Sequence, residues 1–409
     1  MSEPRDQQVC RPARIGIDGR RLGPRLKGIG RYIWELCKGL DLVLPAAEFF
    51  LYTPTPPGLT AISHRWSIRV DDSRWGRLPN NLWLVARAGL LSRRDCLDVF
   101  WGGTGLLPLV GLNTPTVLTV HDVMHRVAPE TMDFRALWAT RLFFASSLAK
   151  ADAIVSNSSG TAERLKASFG YKAAAVVRPG LSQVFQPHPK AHTDSVLKRH
   201  AVERPYLLSV CTWEPRKGIE TLIRAFLGMK AEGQLAHHKL LLVGERGWKD
   251  SPIIELVRSS ESIVSLGYVD DMSLSGLYNG ASAFIYPSSY EGFGMPVLEA
   301  RACGARVVTS DTPELREAGG EDAIYVDPTE TGIRTGISLA LETESAPPVD
   351  WYDRDWTRSA SVLATVLLNP TKNGQEPLRS IKFPARPVRR GRNSVPSLIQ
   401  NRKSVRSAK

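Results

Sequence analysis

The sequence predicts an α/β protein with two doubly wound parallel sheets in tandem. Three observations point to this. Short apolar runs alternate with amphipathic stretches along most of the chain. The alternation occurs twice, on either side of a polar segment at 188–204. The 409 residues are enough for two units of this kind, each burying its own core.

The first set opens with a strand at 13–18 and a helix at 29–40, where apolar residues recur at helical spacing. Strands are expected at 48–52, 98–101, 116–120, 153–157 and 174–177, with helices at 134–150 and 158–169 between the later ones. Ser158 and Ser159 suit the cap of the second of these helices. Residues 177–187 read as loop, and 188–204 as the boundary between domains. The second set alternates strand 206–210, helix 218–230, strands 239–243 and 262–266, helix 272–279, strand 283–286, helix 296–303, and strands 306–309 and 323–326. Residues 331–350 read as loosely structured, and 355–368 as one more helix. The expected organisation is a first domain at 13–190, a second at 200–345, a C-terminal helix at 351–369, and a disordered basic tail at 370–409.

The formal net charge of +12 invites a nucleic-acid or anionic-membrane partner. Its location changes that. Residues 370–409 hold eleven Lys/Arg and one acid, so the other 369 residues carry only +2. The tail has a single aromatic, Phe383, which argues against base stacking and hence against nucleic acid. It could instead meet an anionic membrane surface. Five scattered cysteines form no CxxC pair, so no zinc site or disulfide framework is expected. The polar N-terminus lacks an apolar signal core, and no run of about 18 apolar residues is present. A cytoplasmic protein, peripheral at most to the inner face of the plasma membrane, is the expectation.

The densest chemical signal is Tyr286-Pro-Ser-Ser-Tyr-Glu291-Gly-Phe-Gly-Met-Pro296-Val-Leu-Glu299, a strand running through a glycine loop into a helix. Gly292 and Gly294 let backbone approach a ligand, and the helix start offers free N–H groups to an anion. Glu291 and Glu299 cannot bind phosphate usefully, but they can accept hydrogen bonds from sugar or ribose hydroxyls. A ligand with hydroxyls flanking phosphate fits both, and a nucleotide sugar is one. The plainer alternative is an acidic loop with a dipole-stabilising glutamate. The second signal is Glu214-Pro-Arg216-Lys217-Gly218 at the end of a strand, where a guanidinium fork and an ammonium could neutralise a diphosphate. The alternative is a solvated turn whose bases pair with Glu214 or Glu220.

With these motifs in place, residues 14–368 resemble the retaining glycosyltransferases of group 1, family GT4. The resemblance implies the GT-B fold, two Rossmann-like domains facing a cleft. It rests on Glu291…Glu299, on Glu214–Gly218, and on Gly28-Ile-Gly-Arg-Tyr32, His121-Asp122, Ser156-Asn-Ser-Ser159 and Leu266-Gly-Tyr-Val-Asp-Asp271. Within the family the wording is most similar to bacterial polysaccharide mannosyltransferases. The resemblance implies that Glu291 contacts the donor sugar and Glu299 the ribose. It implies that Lys217, supported by Arg216, neutralises the departing diphosphate. Phe293, Gly294 and Met295 would offer backbone N–H groups, the Gly28–Gly30 loop would close over the diphosphate, and His121 would hydrogen-bond the reacting sugar. In many relatives an arginine precedes the lysine by several residues. Here Cys211-Thr212 stands in that stretch, so Arg216 must supply the charge or phosphate is held less firmly.

Positive charge and a helix dipole meet the leaving group's needs without a metal, and no cofactor is expected. Asp270-Asp271 reads as a helix cap rather than a metal pair. His121 could equally be a packed, hydrogen-bonded core residue, and His125 only a loop residue. Asp18-Gly19 and Gly102-Gly103 read as turns. Residues 81–98 could lie on a membrane, though a core helix with a charged outer face is the simpler reading. The expected function is transfer of a hexose, with mannose from GDP-mannose preferred over a UDP-hexose, to a lipid-linked or growing glycan. The alternatives are a GT-B-like nucleotide-sugar epimerase and a non-catalytic GT-B protein.

Overall fold

The computed structural model describes residues 11–24, 26, 28–131, 134–343 and 355–370. The tail expected from 370 onwards thus lies outside the described residues, except for Pro370.

The first sheet has seven strands: β1 (Arg14–Asp18), β2 (Glu48–Thr53), β3 (Trp66–Val70), β4 (Val99–Gly102), β5 (Thr116–Val120), β6 (Ala153–Ser156) and β7 (Ala175–Val176). All its pairings are parallel, in the order β3-β2-β1-β4-β5-β6-β7. The second sheet contains β8 (Tyr206–Val210), β9 (Lys239–Val243), β10 (Ile263–Gly267), β11 (Ala283–Tyr286), β12 (Val307–Ser310) and β13 (Ile324–Val326). It too is parallel, in the order β10-β9-β8-β11-β12-β13. The central strands are buried on both faces, which is why they read as continuous apolar runs such as Leu240–Val243.

Each sheet reverses its strand order once, between β1 and β4 in the first and between β8 and β11 in the second. Ligand crevices form at such switch points, outside the carboxyl ends of the strands. The loops that leave β8 and β11 are the two that carry the charged motifs.

Several elements depart from the sequence expectation. Residues 331–350 were expected to be loose, but Glu330–Glu342 is a helix capped by Thr329, whose hydroxyl accepts from Gly332 N–H. It buries Ile333, Gly336, Ile337 and Ala340 against the second core. Within the polar 188–204 segment, Lys190–Arg199 is a helix whose Val196 and Leu197 join that domain's other core cluster, together with Leu181 and Phe185. Helices Ser251–Arg258 and Pro313–Gly319 and strand β3 are further elements that the sequence pattern does not predict. The final helix, Trp356–Leu368, returns to the first sheet. Its Ala360 packs so closely on helix Gly28–Val43 that a Cβ on Gly39 would lie 2.6 Å from that methyl.

Residues 81–98 fold as short helical turns that bury Trp83, Leu84, Val85 and Ala88, with Arg87 paired to Asp71 at 3.2 Å. This is the core-helix reading. Among the described residues, no helix is long and apolar enough to cross a membrane.

Candidate active site

The turn after β8 and the loop after β11 are built against each other. Gly218 closes the Pro215–Lys217 turn in the left-handed region, at φ 67°. A Cβ there would lie 2.4 Å from the Pro287 carbonyl, so only glycine lets the two segments meet. Ser289 N–H donates to the Arg216 carbonyl at 2.8 Å and fixes the register.

This contact delivers Lys217 and Arg216 to Glu291. Oε1 of Glu291 accepts from Lys217 Nζ (2.5 Å), Ser288 Oγ (2.6 Å), Tyr286 Oη (3.0 Å) and Arg216 Nη1 (3.0 Å). Burial alone would push this carboxyl's pKa up. The charges of Lys217 and Arg216 more than offset that and hold it down at about 2. Arg216 also reaches Glu214 (3.1 Å) and the Tyr290 carbonyl (3.0 Å), so its fork braces the loop as well as supplying charge. Glu214 titrates above the ordinary carboxylate range because of its burial, despite Arg216.

Gly294 takes φ 100° and caps helix Met295–Ala302, with Pro296 one residue inside the start. The first N–H groups of any helix lack intrahelical partners, and here they follow the glycine loop. The Phe293 side chain is buried in the core beneath, and Met295 packs against the cores of both sheets. Glu299 projects from this helix and is buried. Its Oε2 accepts from Tyr278 Oη at 3.3 Å, and its Oε1 lies 3.4 Å from Arg31 Nη1. Burial raises its pKa to about 7, with Arg31 opposing and Asp271 adding to the rise.

Residues from the first sheet complete the surroundings. His121 follows β5 and is buried. Its Nε2–H donates to the Gly103 carbonyl at 2.7 Å, and its ring meets Tyr32 edge-on. Since a carbonyl only accepts, Nδ1 holds the lone pair of the neutral ring, and burial lowers the pKa to favour that form. The His121 carbonyl faces Gly292 so closely that a Cβ on the glycine would lie 2.1 Å from it. Thr161 Oγ1 bridges the two, within 3.2 Å of the His121 carbonyl and 3.1 Å of the Gly292 carbonyl. Val123 N–H donates to Tyr290 Oη at 2.9 Å.

The structure thus gathers Lys217, Arg216 and Glu291 directly, sets Glu299 on the following helix, and brings His121 to the glycine loop. Gly28 and Gly30 do not form a loop. They are in the first turn of helix Gly28–Val43, where Gly30 leaves no room for a side chain against the Arg21 carbonyl. Asp270 caps helix Asp271–Gly280 as expected, accepting from Ser273 N–H at 3.0 Å. His125 is packed between Phe144 and Phe169 rather than lying free in a loop. Asp18 and Thr104, near the two glycine turns, bond each other at 2.5 Å, and both meet Arg20. The sequence reading gave no role to Tyr286, Ser288, Tyr278, Thr161 or Arg31. The first two stand inside the quoted motif and Arg31 inside Gly-Ile-Gly-Arg-Tyr, but nothing local marked them. Among the described residues, no group of three or more His, Cys, Asp or Glu is arranged to hold a metal ion.

Comparison with known proteins identifies the family. Residues 204–341 match the family described as Glycosyl transferases group 1, and residues 26–182 the one described as Glycosyltransferase Family 4. The chain is 33% identical over 342 residues to the O-antigen chain mannosyltransferase B of Escherichia coli, covering 78% of this chain and 88% of the relative. Its fold is shared with WaaG, a glycosyltransferase involved in lipopolysaccharide biosynthesis (TM-score 0.63, 15% identity, 85% of this chain and 94% of that one). It is shared equally with the sucrose-phosphate synthase of Thermosynechococcus elongatus (TM-score 0.63, 20% identity, 87% and 95%). With two parallel sheets in the GT-B arrangement and matches across both, the chain belongs to the group 1, family 4 glycosyltransferases.

Proposed function

We propose that this glycosyltransferase moves mannose from GDP-mannose, with retention at the anomeric carbon, to a lipid-linked or growing glycan of a surface polysaccharide. The observation that carries the reading is the Lys217–Glu291–Arg216 cluster at the switch point of the second sheet. The preference for mannose and for surface polysaccharide is supported by the 33% identity to an O-antigen mannosyltransferase over most of both chains.

In this reading Lys217 exchanges partners. Its ammonium is paired with Glu291. A bound diphosphate takes the ammonium, and the Glu291 carboxylate, still held by Ser288, Tyr286 and Arg216, turns its acceptor capacity to the sugar hydroxyls. Arg216 then supports the leaving group chiefly through Glu291 and the loop. The N–H groups of Phe293, Gly294 and Met295 face the sugar and phosphate, Glu299 takes the ribose hydroxyls, and Nδ1 of His121 accepts from a sugar hydroxyl. The turn carrying Gly28 and Gly30 faces the diphosphate from the other side. As the glycosidic C–O bond breaks, its electrons go to the diphosphate. The acceptor hydroxyl adds on the same face and gives its proton to a phosphate oxygen. Neither metal nor cofactor is needed for these steps, because Lys217 and the helix N-terminus supply the stabilising charge.

Melting curves with GDP-mannose, UDP-glucose, UDP-galactose and their nucleoside diphosphates test the donor. A ligand at 100 times its Kd stabilises by about 2.7 kcal/mol. GDP-mannose and GDP are expected to raise the melting temperature. Stabilisation by UDP compounds alone would overturn the GDP assignment, and by none the donor site. Peripheral membrane association is supported by the basic residues beyond 370 and by the exposed Trp138 and Leu142, one turn apart on helix Phe134–Lys150. Co-sedimentation with anionic phosphatidylglycerol vesicles, reduced by deleting 371–409, would bear it out.

A further inference from the structure

Arg31 lies in the second turn of helix Gly28–Val43, yet its guanidinium reaches carboxylates on two helices of the other sheet's domain. Nη2 is 3.0 Å from Asp271 Oδ2, Nη1 is 3.3 Å from Asp271 Oδ1, and Nη1 is 3.4 Å from Glu299 Oε1. The guanidinium carbon sits 5.4 Å from the Phe185 ring centre, and the side chain is only 16% exposed. Three elements therefore converge on one arginine: its own helix, the start of helix Asp271–Gly280, and helix Met295–Ala302. The fork grips Asp271 with two nitrogens, while its contact with Glu299 is long. The Tyr278 contact on the other Glu299 oxygen is long as well. Each oxygen of Glu299 thus keeps lone-pair capacity for a ligand.

We propose that Arg31 is a positioning residue for the donor, supplied across the cleft to hold the Glu299 carboxylate ready for the ribose hydroxyls of a nucleotide sugar. The inference rests on the reading of Glu299 as the ribose acceptor. The groups facing Glu299 make the dependence explicit. Asp271 and Tyr278 come from helix Asp271–Gly280, Cys303 ends its own helix, and helix Gly28–Val43 presents Arg31 with Glu35 beside it. Arg31 is the cation in this set. Burial and Asp271 both favour the protonated carboxyl, and Arg31 and Tyr278 oppose them. Without Arg31 the carboxyl gains a proton at higher pH, and a neutral carboxyl offers fewer acceptor sites to a pair of hydroxyls. Arg31 would thereby make ribose capture depend on the approach of the two halves.

The test is calorimetric titration of the full chain with GDP-mannose, and in parallel UDP-glucose, from pH 6 to pH 9. Both probes are diphosphate diesters, whose phosphate charge is constant across that range, and ionisation of the base near pH 9 is common to wild type and variant. Wild-type affinity is expected to fall as pH drops through about 7. In Arg31→Met the midpoint moves upward. Affinity at pH 6 then weakens about tenfold per unit of displacement and converges with wild type by pH 9. Arg31→Lys, which keeps a charge but not the fork, places the midpoint between the two. An unchanged profile in Arg31→Met, or one weakened equally at every pH, would overturn the inference while leaving the donor site standing. A wild type that binds neither probe would overturn both. Should Arg31→Met fail to fold, Arg31→Lys decides: a midpoint above the wild-type value is expected, and an unmoved midpoint would overturn the proposal.

Discussion

The two glutamates of one motif, eight positions apart, sit in opposite electrostatic surroundings. Glu291, on the loop, has two cations and two hydroxyls on a single oxygen and titrates near 2. Glu299, on the helix, is as deeply buried but has one distant cation and a neighbouring aspartate, and titrates near 7. Burial is common to both, so the difference comes from the charges that accompany it. The loop end is held as a permanent anion. The helix end carries a charge that burial opposes and that the neighbouring half must help sustain.

Lys217→Ala should produce the largest effect. It removes the ammonium from Glu291 and, in the proposed mechanism, from the leaving group. Transfer is expected to fall by about 10²–10³ in kcat, the scale for losing one preorganised charge-stabilising donor. Stability should drop too, by about 3 kcal/mol in urea unfolding, because a buried carboxylate loses its nearest cation. A full loss of activity with unchanged stability would show that Lys217 does not carry Glu291.

Next comes pH. A carboxyl whose folded pKa lies below its unfolded value adds stability that is present above about 4.5 and is lost as pH falls toward 2, which is the case for Glu291. Glu291→Gln should therefore cost about 3 kcal/mol at pH 7, and progressively less as the pH drops below 4.5. For Glu299 the sign reverses. A folded pKa raised to about 7 contributes stability that is complete below about 4.5 and is lost as pH rises through 7. Glu299→Gln should remove that slope. The variant should be more stable than wild type by about 3 kcal/mol at pH 8, while losing donor affinity. Parallel pH–stability curves for wild type and Glu299→Gln would contradict the contrast drawn between the two glutamates.

Gly292→Ala should have the smallest effect on stability, about 1–2 kcal/mol, because the loop must retreat from the His121 carbonyl. If that approach orients the loop that presents Glu291, transfer falls more than stability does. Circular-dichroism melts beside transfer rates separate the two.

Much of the fold was legible in the sequence because strands buried on both faces announce themselves as apolar runs. Helix Glu330–Glu342 was not. Gly332 and Gly336 lower its propensity, and it is packing that settles it: a Cβ at Gly336 would lie 2.5 Å from Val308. Helix Lys190–Arg199 hid behind its polarity, since only a narrow seam of Thr193, Val196 and Leu197 is buried. In the site, Glu291, Lys217 and Arg216 could be picked out because their motifs are local. Arg31 could not be assigned a role, since its partners lie 240 and 268 positions away in the chain. Likewise the loop at Gly28 and Gly30 was implied by the family resemblance rather than by the periodicity, which already placed a helix at 29–40; here Gly30 lets that helix start against the Arg21 carbonyl.

The most direct test of the donor site is a crystal structure of the full chain with GDP-mannose. Ribose hydroxyls are expected within hydrogen-bond distance of Glu299, the diphosphate on Lys217 at the start of helix Met295–Ala302, and the mannose against Glu291. A nucleotide bound elsewhere, or one whose ribose avoids Glu299 while Lys217 keeps its hold on Glu291, would contradict it.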